Sequence, residues 1–260
     1  MDPYEFSIQK VKEVGATLLD ARERGFSVAT KGGNPRDIVT SIDKKANDIL
    51  VSAIKKEFPT HRLYSEEGGD VVAGSDEQWV IDPIDGSANF SRGIPHFSVC
   101  LGLLKGGAPV AGAVYNPVTK ELFSFKKGEG AFLNGNPIGV SGVSVLAEAQ
   151  VVFSPGSRKP ELWDWAAVSY RKLLEKSLKR GMYGSSALDI CFVAAGRADV
   201  GVYGTLSTLD IAAALGILQE AGGVSASASG GSLEYSIASQ KVYIGNSTPM
   251  LEELRVLLES

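Results

Sequence analysis

Only two cysteines occur in the 260 residues, Cys100 and Cys191, both within apolar runs and without CxxC spacing. A disulfide framework and a cysteine-built zinc site are thereby excluded, and a reducing compartment is the natural setting. No apolar run approaches the roughly 20 residues a membrane helix needs. The opening MDPYEFSIQK has no basic region followed by an apolar core, so no secretion signal is read there and a cytoplasmic location is expected. Positive charge is not in excess either: 26 Lys and Arg face 30 Asp and Glu, for a net charge of -4. That balance carries no electrostatic footprint for nucleic acid, so neither nucleic acid nor membrane is expected as a partner. With 44% hydrophobic and 22% charged residues the composition is that of an ordinary globular protein, long enough for one large domain or two small ones.

The scarcity becomes informative between Leu63 and Ser91, where there is no Lys or Arg but seven acids: Glu66, Glu67, Asp70, Asp76, Glu77, Asp82 and Asp85. Most acidic runs are solvated faces, and Asp70, Asp76 and Glu77, in a Gly-Ser stretch, are assigned to an exposed loop. Glu66 and Asp82 are different, because each ends a strand-like run. The stretch at residues 79–90 reads WVIDPIDGSANF. Three apolar residues deliver Asp82 at the end of a buried strand. Pro83 cannot donate to a sheet ladder, so the strand is expected to stop there and the chain to turn. The turn aims Asp82 and Asp85 at one point, and Gly86 allows close backbone approach. A helix starting at Ser87 would offer free N–H groups to an anion. Carboxylates beside an anion site require a cation between them, so the residues point to metal-assisted phosphate chemistry.

Elsewhere, Tyr4, Ile8, Val11, Gly15, Leu18 and Arg22 fall on one face of a first helix ending near Gly25, and Ala46, Leu50, Ile54 and Phe58 mark a second. Thr40 and Asp43 have capping-box spacing, so Asp43 on its own also reads as a dipole-favoured helix acid. Strands are expected over 97–104, 109–115, 122–126 and 130–133, separated by Gly106-Gly107, Asn116-Pro117 and Asn134-Gly135 turns. A boundary near 139–142 divides the chain into an N-terminal α+β half, 1–142, with the acid-rich motif, and a C-terminal α/β half, 143–260. The second half should hold strands over 151–154, 199–203 and 242–245 and helices over 161–179, 188–195, 209–221 and 250–259. Asp210 near the start of one of those helices again reads as a helix-start acid or as a ligand. The order of elements implies α+β layering, with helices between sheets.

These motifs resemble the inositol monophosphatase family of metal-dependent, lithium-sensitive phosphatases. Residues 79–90 match its first signature, residues 37–43 (DIVTSID) and 65–67 (SEE) its upstream elements, and residues 209–213 (LDIAA) with 220–223 (EAGG) its second signature. The likeness runs in order along nearly the whole chain. It implies a layered α-β-α-β-α sandwich of the inositol monophosphatase/fructose-1,6-bisphosphatase type, usually a homodimer, with two or three Mg2+ ions per active site. By position, Glu66, Asp82 and the Ile84 carbonyl would bind one ion, and Asp82, Asp85 and Asp210 a second. Hard Mg2+ prefers such oxygen ligands, and paired ions, roughly 3.5–4 Å apart in general, clamp attacking and leaving oxygens. The implied reaction is attack of a metal-activated water on phosphorus, with Asp43 and Ser87 drawing its proton beside Glu66. Gly86 and Ser87 N–H groups would hold phosphate oxygens. No covalent intermediate is needed, which leaves His61 and His96 as surface or packing residues.

The leaving-group side departs from the animal inositol pattern. Tyr203 stands where a Glu is common seven residues before Asp210, and Ser207 where sugar-phosphate relatives carry Arg. Gly181 replaces another common Arg, with Arg180 adjacent, while the turn Gly184-Ser185-Ser186 survives as a hydroxyl-binding lip. Residues 84–97 (IDGSANFSRGIPHF) are closest in motif to archaeal members acting on both inositol monophosphate and fructose 1,6-bisphosphate, although a second phosphate wants a bidentate Arg partner. Substrate contacts are thus expected from Asp85, Gly86, Ser87, Ser185, Ser186 and Tyr203. The alternatives are a 3′-phosphoadenosine 5′-phosphate or NADP phosphatase of the same superfamily, or a non-catalytic metal-binding scaffold.

Overall fold

Asp2 accepts the Tyr4 N–H and Pro3 occupies the first turn, so the chain enters helix α1 (Pro3–Arg24) at once and leaves it where Gly25 adopts φ +88°. A computed structural model describes every residue except 31–32, 34–37, 66–68, 72–74, 157–158, 209–210, 234 and 236–237. Strands β1 (Val28–Thr30) and β2 (Ile38–Thr40) pair antiparallel and lead into α2 (Ser41–Glu57), whose start carries the Thr40–Asp43 capping box. Next come β3 (Arg62–Ser65), β4 (Gly69–Val71), β5 (Glu77–Asp85), the short helix α3 (Ser87–Arg92), β6 (Ser98–Lys105), β7 (Ala108–Asn116), β8 (Glu121–Lys126), β9 (Gly130–Leu133) and β10 (Asn136–Ile138). They form an eight-stranded sheet ordered β10-β9-β8-β7-β6-β5-β3-β4, in which only β3 and β5 run parallel.

The second half contributes β11 (Gln150–Ser154), α4 (Trp163–Lys176), β12 (Lys179–Gly181), α5 (Ser186–Ala194), β13 (Val200–Leu206), α6 (Ala212–Glu220), β14 (Val224–Ser227), β15 (Gln240–Gly245) and α7 (Thr248–Glu259). Its five-stranded sheet is ordered β12-β11-β13-β15-β14, with β11 parallel to both neighbours and β15 antiparallel to both of its own.

Among the described residues, three large apolar cores and one small one (Val80, Leu104 and Ala212) glue five layers. Phe6, Val11, Val14 and Leu18 of α1 with Leu50 and Ile54 of α2 pack on Trp79, Ile81 and Leu101 of the large sheet. Burying each such side chain stabilises the fold by about 1.5–3 kcal/mol. The opposite face of that sheet (Val114, Phe123, Phe125) meets α5 and α6, which also cover Val152, Val242 and Ile244 of the small sheet. The small sheet's outer face, Val151, Phe153 and Tyr243, is closed by Ala166 and Leu173 of α4 and Leu251 and Leu254 of α7. The order is therefore α1α2, sheet, α5α6, sheet, α4α7: the expected α-β-α-β-α sandwich. In α6 every residue from Ala212 to Leu218 is buried, as a helix between two sheets must be. Gly216 lets Phe125 come so close that a Cβ there would sit 2.2 Å from its ring.

Several expectations are corrected. Pro83 does not end its strand: β5 continues to Asp85 through a bulge, Asp82 opposing Cys100 and Asp85 opposing Ser98, so three steps on β5 face two on β6. A bulge is one of the few sheet positions where a residue lacking an N–H is tolerated. Asp70 is not in a loop but pairs with Tyr64 in β4, and Glu77 begins β5, bound to Lys105 at 3.0 Å and His61 at 3.1 Å. The helix expected over 161–179 runs from Trp163 to Lys176, and Lys179 instead begins edge strand β12.

Candidate active site

The bulge in β5 places two carboxylates on one rim. Asp82, 6% exposed, accepts the Ile84 N–H on Oδ1 at 3.0 Å, which folds the turn at Pro83 and orients the Ile84 carbonyl. That carbonyl accepts the Ser87 hydroxyl at 2.9 Å. The same hydroxyl lies 3.3 Å from Asp43 Oδ1. One proton serves one acceptor at a time, so Ser87 is held between two acceptors. Asp43, 2% exposed, takes the Thr40 N–H on Oδ2 at 2.8 Å and the Thr40 hydroxyl on the same oxygen. The capping box therefore fixes one carboxylate oxygen and turns the other toward Ser87.

Asp85 faces the other way. Its Oδ2 accepts the Ser185 hydroxyl and the Ala187 N–H at 2.9 Å, and its Oδ1 the Ser186 N–H at 3.2 Å. A carboxylate from β5 thus sits on the first turn of α5, where free N–H groups and the helix dipole favour an anion. Desolvation nevertheless pushes its pKa up to about 6, helped by the nearby charge of Asp189 and opposed by the Ser185 and Ala187 hydrogen bonds. Directly after Asp85 the chain turns into α3 through Gly86 at φ +91°, where a Cβ would lie 3.0 Å from the Gly184 carbonyl oxygen. Two carboxylates and a carbonyl, all hard oxygen donors, fall within residues 82–85 at the bulged end of β5. That donor set fits a divalent cation such as Mg2+. The other two expected ligands, Glu66 and Asp210, lie outside the described residues, as does Asp37. Among the described residues alone no group of three or more His, Cys, Asp or Glu could hold a metal ion.

The family model of the inositol monophosphatase family matches residues 2–259. A "Fructose-1,6-bisphosphatase/inositol-1-monophosphatase" of Thermotoga maritima is 37% identical over 224 residues, covering 86% of this chain and 84% of that one. A "Nus factor SuhB" of Pasteurella multocida is 34% identical over 226 residues, covering 86% and 85%. Among solved structures, an IMPase of Thermotoga maritima superposes with a TM-score of 0.89 at 32% identity, covering 99% of this chain and 97% of that one. The chain belongs to the inositol monophosphatase family. It is a phosphatase of phosphomonoesters, of a family that is generally metal-dependent and acts on small phosphorylated substrates.

Two expected substrate contacts of this family member are corrected. Tyr203 is fully buried in the core shared by α5, α6 and the small sheet, and it reaches no surface. Burial drives its hydroxyl pKa well up, with the charges of Asp189 and Asp85 adding to the effect. Its place on β13 faces the ring into that core, where an aromatic side chain is favoured. Ser185 is also fully buried, with its hydroxyl engaged by Asp85, leaving Gly184 and Ser186 as the accessible lip. Arg180 folds back to donate to the Ser177 carbonyl at 2.8 Å. His61 packs on Phe58 and pairs with Glu77. His96 is mostly buried rather than a surface residue, with Nε2 3.0 Å from Asp189 Oδ1. Asp189 escaped the reading of the sequence, although an acid inside the apolar run ALDICFVA was the signal.

Proposed function

We propose that this phosphatase is a Mg2+-dependent phosphomonoesterase of a small polyol or sugar phosphate, such as inositol monophosphate, working as a homodimer. The observation that carries the reading is the Ser87 hydroxyl suspended between Asp43 and the Ile84 carbonyl, beside Asp82 and Asp85. Glu66, Asp82, Ile84, Asp85 and Asp210 would hold the cations, which when bound supply charge neutralisation and Lewis-acid activation of water. Asp43, fixed by Thr40, receives a proton through Ser87, and Glu66 is assigned beside them. The Gly86 and Ser87 amides hold phosphate oxygens. Ser186 and the rim of Asp85 meet the leaving group.

Two features favour a monophosphate over fructose 1,6-bisphosphate. Arg180, the cation nearest the lip in sequence, donates to its own chain, and no arginine stands at 181 or 207. At those three positions a second phosphate would find no bidentate arginine partner. Leu178, Met182 and Tyr183, at and beside edge strand β12, are 64%, 56% and 40% exposed and support a symmetric dimer there.

The test is phosphate release with Mg2+, with and without lithium, from inositol 1-phosphate, fructose 1,6-bisphosphate, 3′-phosphoadenosine 5′-phosphate and NADP. Fastest release from inositol 1-phosphate, blocked by lithium, is expected; preference for a nucleotide substrate would replace this reading. Ser87→Ala should lower kcat by about 10²-fold with little change in KM, because proton removal acts in the transition state.

A further inference from the structure

His96 does more than fill space. Its Nε2 lies 3.0 Å from Oδ1 of Asp189, a side chain only 2% exposed, one helical turn beyond Ser185. Its ring packs against Tyr183 (centroids 5.5 Å apart) and edge-on to Phe192 (5.4 Å). Its carbonyl accepts from Asn89 Nδ2 at 2.7 Å, and the same amide donates to the Tyr183 carbonyl at 2.6 Å. The Gly86 turn is equally close: a Cβ on Gly86 would come within 3.2 Å of the His96 carbonyl oxygen. Side chain and backbone of one residue thereby join three segments that meet at the rim of Asp85: α5, the lip at residues 183–186 and the Gly86 turn.

The energetics require the pair to be kept together. A buried carboxylate is costly unless hydrogen-bonded. Losing either partner leaves the other without its bond, and His96, at 16% exposed, is the more accessible of the two. Movement there carries the 183 end of the lip, because Tyr183 packs on the His96 ring and its carbonyl shares the Asn89 amide with that of His96, whereas Ser186 and Ala187 keep their own bonds to Asp85. The proton-handling residues lie on the other side of the bulge, where Thr40 and the Ile84 carbonyl anchor Asp43 and Ser87 without using His96.

We propose that His96 and Asp189 form a positioning pair that sets the 183–186 lip and so decides which leaving groups the phosphatase accepts. The proposal rests on the reading of the substrate as a polyol or sugar phosphate. It separates leaving-group recognition from phosphorus chemistry, and two substrates can report on these apart: inositol 1-phosphate, whose hydroxyls meet the lip, and p-nitrophenyl phosphate, which has no hydroxyls to offer it.

The experiment measures kcat and KM for both esters, with Mg2+, in the full-length protein and its variants. His96→Phe keeps the ring but loses the bond, and it should raise KM for inositol 1-phosphate about tenfold while kcat/KM on the aryl ester stays within about threefold. His96→Gln places an amide N–H near the position of Nε2 and should restore KM to within about threefold of wild type. The double variant His96→Phe/Asp189→Leu removes both polar partners, so no buried carboxylate is left unpaired and folding is preserved. Its KM for the polyol ester should remain raised. Recovery of wild-type KM in the double variant, or equal losses on both esters in His96→Phe, would show a purely structural pair and overturn the proposal. Wild-type protein that cleaves only the aryl ester would instead overturn the substrate reading, and this one with it.

Discussion

Asp85 illustrates how a single residue can be at odds with its own fold. Its carboxylate accepts three hydrogen bonds from residues 185–187, yet burial and Asp189 raise its pKa to about 6. An acid whose folded pKa exceeds its unfolded value near 3.9 binds more protons in the native state. Native stability from this group is therefore unaffected below the unfolded value and is lost as pH rises through the window from about 4 to 6. In metal-free protein, the melting temperature of wild type should fall relative to Asp85→Asn between pH 4 and pH 7, and the gap should close when Mg2+ is added to wild type. A pH-independent gap would mean that Asp85 is not strained by ionisation. The residues most open to reading from sequence were those in local register: Asp82 and Asp85 across a proline turn, Asp43 three residues after Thr40. His96 and Asp189 lie 93 residues apart and carry no local pattern, so only the fold brings them together.

At the scale of elements, periodicity decided what could be seen. The long helices and the 97–133 meander were readable because apolar spacing repeats over several turns or alternations. Strands β2, β4, β10 and β12 have three residues each, too few for a period to show. Lys176 to Lys179 continue a helical pattern, yet pairing with β11 takes Lys179 onward into an edge strand. The decisive element is the bulged end of β5, since a regular strand could not turn Asp82 and Asp85 to one rim. Gly86 makes that geometry affordable. At φ +91° any other residue is strained, and its Cβ would press on the carbonyl oxygens of Gly184 and His96. Gly86→Ala is expected to destabilise the protein by about 2–4 kcal/mol, combining the positive φ with overpacking against backbone. Urea unfolding at fixed m-value measures it, and a loss under about 0.5 kcal/mol would show that the turn can relax.

At the scale of the molecule, the central layer is what makes the two halves one structure. Helices α5 and α6 come from the second half, yet Phe123 and Phe125 of the first half share their core. Helix α5 brings Ser185 and the 186–187 amides to Asp85 of the large sheet, so the site is assembled across the seam. Layering of this kind covers each inner sheet face, but it leaves β12 as an unpaired edge with Leu178 and Met182 exposed beside it. An open edge flanked by large apolar side chains is unfavourable in water and suited to a second copy of itself. Light scattering on purified protein should give twice the chain mass of 27.4 kDa. Leu178→Glu with Met182→Glu should return it to one chain mass, because like charges would meet across a two-fold axis. A wild-type monomer would remove the dimer from the proposed function, and a dimeric double variant would move the interface elsewhere on the surface.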